Sequence, residues 1–152
     1  MDYQKLTGLI PHLVVNGGAA AIDFYKAGLG AEELHRMPTP DGRLMHATLK
    51  FDGSYLFLND DFPEHCGGAT RAPKGPSPVT LHLNVKNCDA AIERAAKAGA
   101  KVEMPAMDMF WGDRYGKIID PFGHSWSFSH PLTADQKAAA EKAWAAMQGN
   151  MK

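Results

Sequence analysis

A chain of 152 residues with 16 basic and 17 acidic side chains carries a formal charge of -1. It has no basic run or stripe to hold nucleic acid or an anionic membrane, so small molecules are the expected partners. No apolar run approaches the ~18 residues that a membrane helix needs, and Met1 to Leu6 lacks the charged start and apolar core of a signal peptide, so a cytoplasmic protein is expected.

The first predicted strand is the apolar run Leu9 to Val15, with Pro11 near its start, where a missing N–H is tolerated on an edge. Asn16-Gly17-Gly18 turns into a helix over about Ala19 to Ala27, with Ile22, Tyr25 and Leu29 on one face and Gly28 and Gly30 as stops. Glu32 to Met37 reads as a strand, Pro38 to Gly42 as a turn and Arg43 to Phe51 as a third strand. Alternation in that strand puts His46, Thr48 and Lys50 on one face and Met45, Ala47, Leu49 and Phe51 on the other. Asp52-Gly53 is a hairpin signal before Ser54 to Asn59, and the unit reads βαβββ.

The stretch from about 61 to 78 holds four prolines and three glycines without periodicity, and reads as a linker with some lid character. Val79 to Val85 opens a second unit. Asn87 is an N-cap for a helix reaching about Ala98, Val102 to Met104 is a strand, and Asp120-Pro-Phe-Gly123 is a turn between Lys117 to Ile119 and His124 to Phe128. Thr133 and Gln136 have capping-box spacing for a last helix to about Gln148, with a narrow stripe of Ala140, Trp144 and Met147. Cys66 and Cys88 are expected as reduced thiols.

The second unit repeats the first. Sliding the sequence by 70 positions superposes His12, Leu13 and Val15 on His82, Leu83 and Val85, and Ala20, Ala21 and Ile22 on Ala90, Ala91 and Ile92. It also matches Glu33, Met37, Gly42 and Gly53 with Glu103, Met107, Gly112 and Gly123. Composition alone would supply on the order of three such identities, so we read an internal duplication.

These residues resemble the vicinal oxygen chelate superfamily of glyoxalases, bleomycin resistance proteins and extradiol dioxygenases, and most closely its PhnB-like branch. The carrying stretches are Pro11 to Gly17 leading to Ala21-Ile-Asp-Phe-Tyr25, Met37 to Arg43 with Met45-His46, and Leu81 to Val85. Phe110-Trp-Gly-Asp-Arg-Tyr-Gly116 and Asp120-Pro-Phe-Gly-His124 complete them. The resemblance implies an α+β fold in which two tandem βαβββ modules form a curled, cup-shaped mixed sheet, with a C-terminal helix appended. One domain of that family would span 1–152, with module one at about 8–60, the linker at 61–78, module two at about 79–130 and the C-terminal helix at about 133–148. It further implies a homodimer, and a ligand or a divalent metal held in the cavity between modules.

Relatives that use a metal draw His, Glu or Gln ligands from positions that correspond here to Ile10, Phe57, Thr80 and Ser127, none of which is a usual ligand for a divalent ion. His12 and His82 lie two residues further along and share the inward face. They read either as cavity histidines lining a metal-free pocket or as ligands of a shifted metal site, with His124 or His130 assisting. Pocket candidates are His12, His82, Phe57, Trp111, Arg114, Tyr115 and Trp126. Arg114 is either a clamp for a ligand oxygen or a partner of Asp113 or Asp120, and Phe57 and Trp126 are weighed also as core. Two functions follow: a protein that binds a small aromatic or amphipathic molecule without the four-ligand metal site, or a metal-dependent lyase, isomerase or dioxygenase of the glyoxalase class using His12 and His82.

Overall fold

Period-two alternation and turn chemistry set the element order, which a computed structural model describing residues 1–151 shows directly. Its strands and helices are β1 (His12–Val15), α1 (Gly18–Leu29), β2 (Glu32–Pro38), β3 (Leu44–Phe51), β4 (Ser54–Asp60), β5 (Thr80–Asn84), α2 (Cys88–Lys97), β6 (Lys101–Asp108), β7 (Asp113–Ile119), β8 (Ser125–Pro131) and α3 (Ala134–Gly149). They form two four-stranded mixed sheets, ordered β1-β4-β3-β2 and β5-β8-β7-β6, and neither closes into a barrel. In each sheet the first strand runs parallel to the last, and the remaining pairs are antiparallel. The chain groups into two compact units, Met1–Ser77 with Pro121–Gly123, and Pro78–Asp120 with the residues from His124 onward.

In the first unit α1 lies on one face of its sheet. Ile22 and Tyr25 are fully buried, with Ala47, Leu49 and Leu58 beneath them, which is what alternation in β3 and β4 predicts. Asp60, at the end of β4, reaches the start of α1. Its Oδ1 accepts the amides of Gly17 and Gly18, both at 2.8 Å, and its Oδ2 accepts that of Leu44 at 2.7 Å. One carboxylate thus satisfies two orphan donors at a helix N-terminus and ties that terminus to β3. A Cβ at Gly18 would stand 2.7 Å from Asp60 Oδ2 and 3.0 Å from Leu44 Cδ1, so any side chain there would have to displace the carboxylate or Leu44.

The second unit repeats the design with other chemistry. Seventy residues beyond Asp60, His130 Nδ1 accepts the amide of Cys88 at the start of α2 at 2.8 Å, while Asn87 caps Ala90 as its spacing predicts. The turn before β7 repeats the one before β3: the Thr39 and Gly42 amides donate to Arg43 O and Thr39 O, and those of Met109 and Gly112 donate to Asp113 O and Met109 O. Gly42 and Gly112 have φ of 88° and 108°, the left-handed conformation that accounts for both glycines.

The stretch read as a linker is packed in the first unit up to Ser77. Asp61 Oδ2 accepts the Thr70 hydroxyl and the amides of Arg71 and Ala72, pinning one end of the stretch to the other. Arg43 donates to Asp61 O and Glu64 and lies 4.2 Å over the Phe62 ring. These contacts join residues 9–21 positions apart, so no local pattern announces them. The capping box of Thr133 and Gln136 forms as expected at the start of α3. Ala140 is buried and Trp144 stacks on Phe110 at 4.7 Å, but Met147, also in the expected stripe, is half exposed.

Candidate functional site

The face of the first sheet opposite α1 carries polar and aromatic side chains in one row. His12 pairs with Phe57 across β1 and β4, Phe57 with Thr48 across β4 and β3, and Thr48 with His35 across β3 and β2. His46, two residues before Thr48, joins this row by alternation, and a bulge lies just ahead of it. Pro38 pairs with Leu44 but Met37 with His46, so Met45 is an extra residue in β3. Leu44 therefore faces α1, where it crowds Gly18, while His46, two residues on, faces the other way. A second bulge at Leu34, between the pairs Glu33–Leu49 and His35–Thr48, similarly turns His35 onto the row.

Four rings meet there. The His46 and Phe57 centroids are 4.9 Å apart, and His12 stands 5.9 Å from each of them. All three contacts are edge-to-face, the arrangement favoured by ring quadrupoles. Burial pushes the His46 imidazole below the ordinary histidine value, and the neighbouring imidazoles of His12 and His35 push it the same way. His46 is accordingly neutral at pH 7, and its Nε2 lies 3.1 Å from the Thr48 hydroxyl. Over this cluster sits Tyr3, from a single 3-10 turn at Tyr3–Lys5, with its phenol oxygen 3.1 Å from Thr48 Oγ1.

The second sheet presents the repeat-related face. His82 pairs with Ser127 across β5 and β8 as His12 pairs with Phe57, and its Nδ1 and Nε2 lie 2.7 and 3.0 Å from the hydroxyls of Ser127 and Ser129. Tyr115 stacks on His82 at 6.0 Å and 12°, and Trp111 meets the Tyr115 edge at 5.6 Å. Lys117 pairs with Ser127 in the place where Thr48 pairs with Phe57, so the offset between β3 and β7 is 69, not 70. The single residue of difference is Met45, and Tyr115 holds the place of His46.

Each sheet therefore gathers some of the candidates read from the sequence: His12 with Phe57 in the first, and His82 with Tyr115 and Trp111 in the second. Trp126 is not among them. It is 2% exposed, alternates with Ser127 onto the core side of the sheet, and donates its indole N–H to Asp120 at 2.9 Å. Arg114 gives Nε and Nη2 to Asp89 and Nη1 to Asp108, carboxylates other than the Asp113 and Asp120 that its sequence neighbourhood offers. Asp89 comes from α2 and Asp108 from β6, so only folding brings them to it. His46, His35, Thr48 and Tyr3 were not singled out. Alternation in β3 did put His46 and Thr48 on one face, whereas Tyr3 lies outside the repeat.

The donor set does not suit a divalent ion. Of the four positions where relatives place ligands, Phe57 and Ser127 lie beside His12 and His82 and supply a ring and a hydroxyl. Both nitrogens of His82 are engaged by serine hydroxyls, so binding an ion would break one of those bonds. His130 Nδ1 is taken by the start of α2. Among the described residues no three of His, Cys, Asp or Glu converge as ligands. No helix there is long and apolar enough to cross a membrane.

Known proteins share this architecture. The model of the Glyoxalase/Bleomycin resistance protein/Dioxygenase superfamily matches residues 9–128. An uncharacterised protein of Mycobacterium tuberculosis is 51% identical over 126 residues, covering 82% of this chain and 74% of that one. A crystal structure of an Arabidopsis thaliana gene product, 28% identical, superposes over 82% of this chain and 99% of its own with a TM-score of 0.67. The PhnB protein of Bacillus cereus, 15% identical, covers 84% and 100% with a TM-score of 0.62, a likeness of fold alone.

Proposed function

The chain belongs to the Glyoxalase/Bleomycin resistance protein/Dioxygenase superfamily, and from that premise we propose that it binds a small aromatic or amphipathic molecule on the His12, His46 and Phe57 face of its first sheet, without a four-ligand metal site. The observation that carries this reading is the ring cluster itself: three rings within 6 Å of one another, on the sheet face that α1 leaves uncovered. Purely structural histidines would be expected to turn toward the helix or to lie under carboxylates. These lie beside a phenyl ring, and His46 is held neutral, which suits an uncharged ring-bearing ligand and not an anion. Thr48 adds one directional polar contact to an otherwise non-directional surface, the usual division of labour in a small-molecule site.

The test is a screen of fluorinated aromatic fragments followed through the imidazole proton signals of the protein. Binding fragments should shift the His12 and His46 signals, and Phe57→Ala should weaken them about tenfold or more. Fragments that bind while leaving both imidazoles unmoved would refute the proposal.

A further inference from the structure

The ring cluster on the first sheet is already filled by part of the chain. Tyr3 stands 5.8 Å from His46, 5.9 Å from Phe57 and 6.3 Å from His35, edge-on to all three rings. Its hydroxyl reaches Thr48 Oγ1, a side chain with no exposed surface, buried in the floor of the site. Three polar atoms follow one another here, and the Tyr3 and Thr48 hydroxyls can each donate or accept. The Tyr3 hydroxyl lies 3.1 Å from Thr48 Oγ1, which lies 3.1 Å from His46 Nε2, and the His46 tautomer sets the direction of the chain. Such a site is satisfied by a ring with a hydroxyl in this position, and a plain hydrocarbon ring leaves the buried threonine hydroxyl one hydrogen-bond partner short.

Little holds Tyr3 in place apart from these contacts. Its 3-10 turn is three residues long, none of them is buried, and its ion pair joins Lys5 to the capping Asp2, both exposed. Tyr3 itself remains 41% exposed. A side chain so lightly tethered yet contacting three rings and a buried hydroxyl behaves as an exchangeable occupant.

From this, and resting on the ligand site proposed above, we infer that the site recognises a phenol, and that Tyr3 is its internal stand-in, displaced when a hydroxylated aromatic ligand enters. The occupant lowers apparent affinity by the fraction of molecules in which the site is closed. Removing it should therefore tighten binding without any new contact.

The probes are p-cresol and toluene, which differ by one hydroxyl, titrated into the full chain, Tyr3→Ala and Thr48→Val, with imidazole and tyrosine ring signals followed together. In the full chain p-cresol should shift the Tyr3 ring signals as it shifts those of His46. Tyr3→Ala should bind p-cresol on the order of tenfold more tightly. Thr48→Val in the Tyr3→Ala background should remove the preference for p-cresol over toluene, about a fivefold to tenfold loss. Equal affinity of the full chain and Tyr3→Ala, or equal affinity for the two probes in Tyr3→Ala, overturns the inference. If aromatic fragments still move the imidazoles in that case, the ligand site stands and only the phenol and its stand-in fall. If no aromatic probe moves them in Tyr3→Ala, both fall.

Discussion

Asp60→Asn changes one oxygen to an amide nitrogen and tests whether a single carboxylate joins α1 to its sheet. The group is 5% exposed, so solvent does little to replace what is lost. Asn can keep its oxygen on the Gly17 and Gly18 amides, but then points an NH2 at the Leu44 amide that now donates to Oδ2 at 2.7 Å. One charge-assisted bond disappears, worth roughly 1.5 to 3 kcal/mol, and a buried donor is left facing another donor. The two retained bonds weaken with the loss of charge at the helix N-terminus, by about 0.3 to 1 kcal/mol. The expected cost is about 2 to 4 kcal/mol, and Asp60→Ala, which removes both acceptor oxygens and with them all three bonds, should cost about 4 to 6 kcal/mol. In a chain of this size that places Asp60→Asn roughly 5 to 15 °C lower in Tm. Thermal melts followed by circular dichroism, with urea denaturation to check that the m-value is unchanged, measure it. His130→Ala gives the scale, since that side chain accepts the single amide of Cys88 at the start of α2, and should cost about 1 to 2 kcal/mol. An Asp60→Asn protein within ~0.5 kcal/mol of the parent, or one no worse than His130→Ala, would refute the reasoning.

Gly116→Ala should destabilise by about 2 kcal/mol or more in the same assay, because the new methyl collides with Ile92 Cδ1 and, less avoidably, meets Met104 O at 3.0 Å and Ala106 N at 3.2 Å. The pH dependence of stability should carry the mark of His46. Its folded-state pKa is lowered by burial first and then by His12 and His35. The unfolded chain therefore binds the proton more readily, and the His46 contribution is complete above the ordinary value of 6.5 and lost as pH falls below it. Denaturant titrations from pH 8 to pH 5 should show that loss, and His46→Gln should reduce its slope; an unchanged slope would contradict the assigned environment.

Local chemistry in this chain is legible because it is short-ranged. Alternation in β3, the Asn87 and Thr133 caps and the left-handed turns at Gly42 and Gly112 each depend on residues within four positions of one another. The duplication is legible for a different reason: two copies of one strand order have to keep the same punctuation, and a 70-residue slide exposes it. His12 and His82 were found that way, while the family resemblance put them on the inward face, where they pair with Phe57 and Ser127.

The tertiary structure alone decided which side chains surround them. A bulge at Met45 is an irregularity of hydrogen bonding against a strand that lies seven or more residues away, and nothing in the letters Leu-Met-His marks it. Yet it turns Leu44 toward α1 just ahead of His46 and makes the true offset 69 between β3 and β7. The Arg114 partners, the burial of Trp126, the folding of residues 61–77 onto the first unit and the seat of Tyr3 over Thr48 are contacts between segments 6–45 residues apart. Such contacts follow from how sheets and loops pack in three dimensions, which is why the sequence located the two histidines but not the box of side chains around His12.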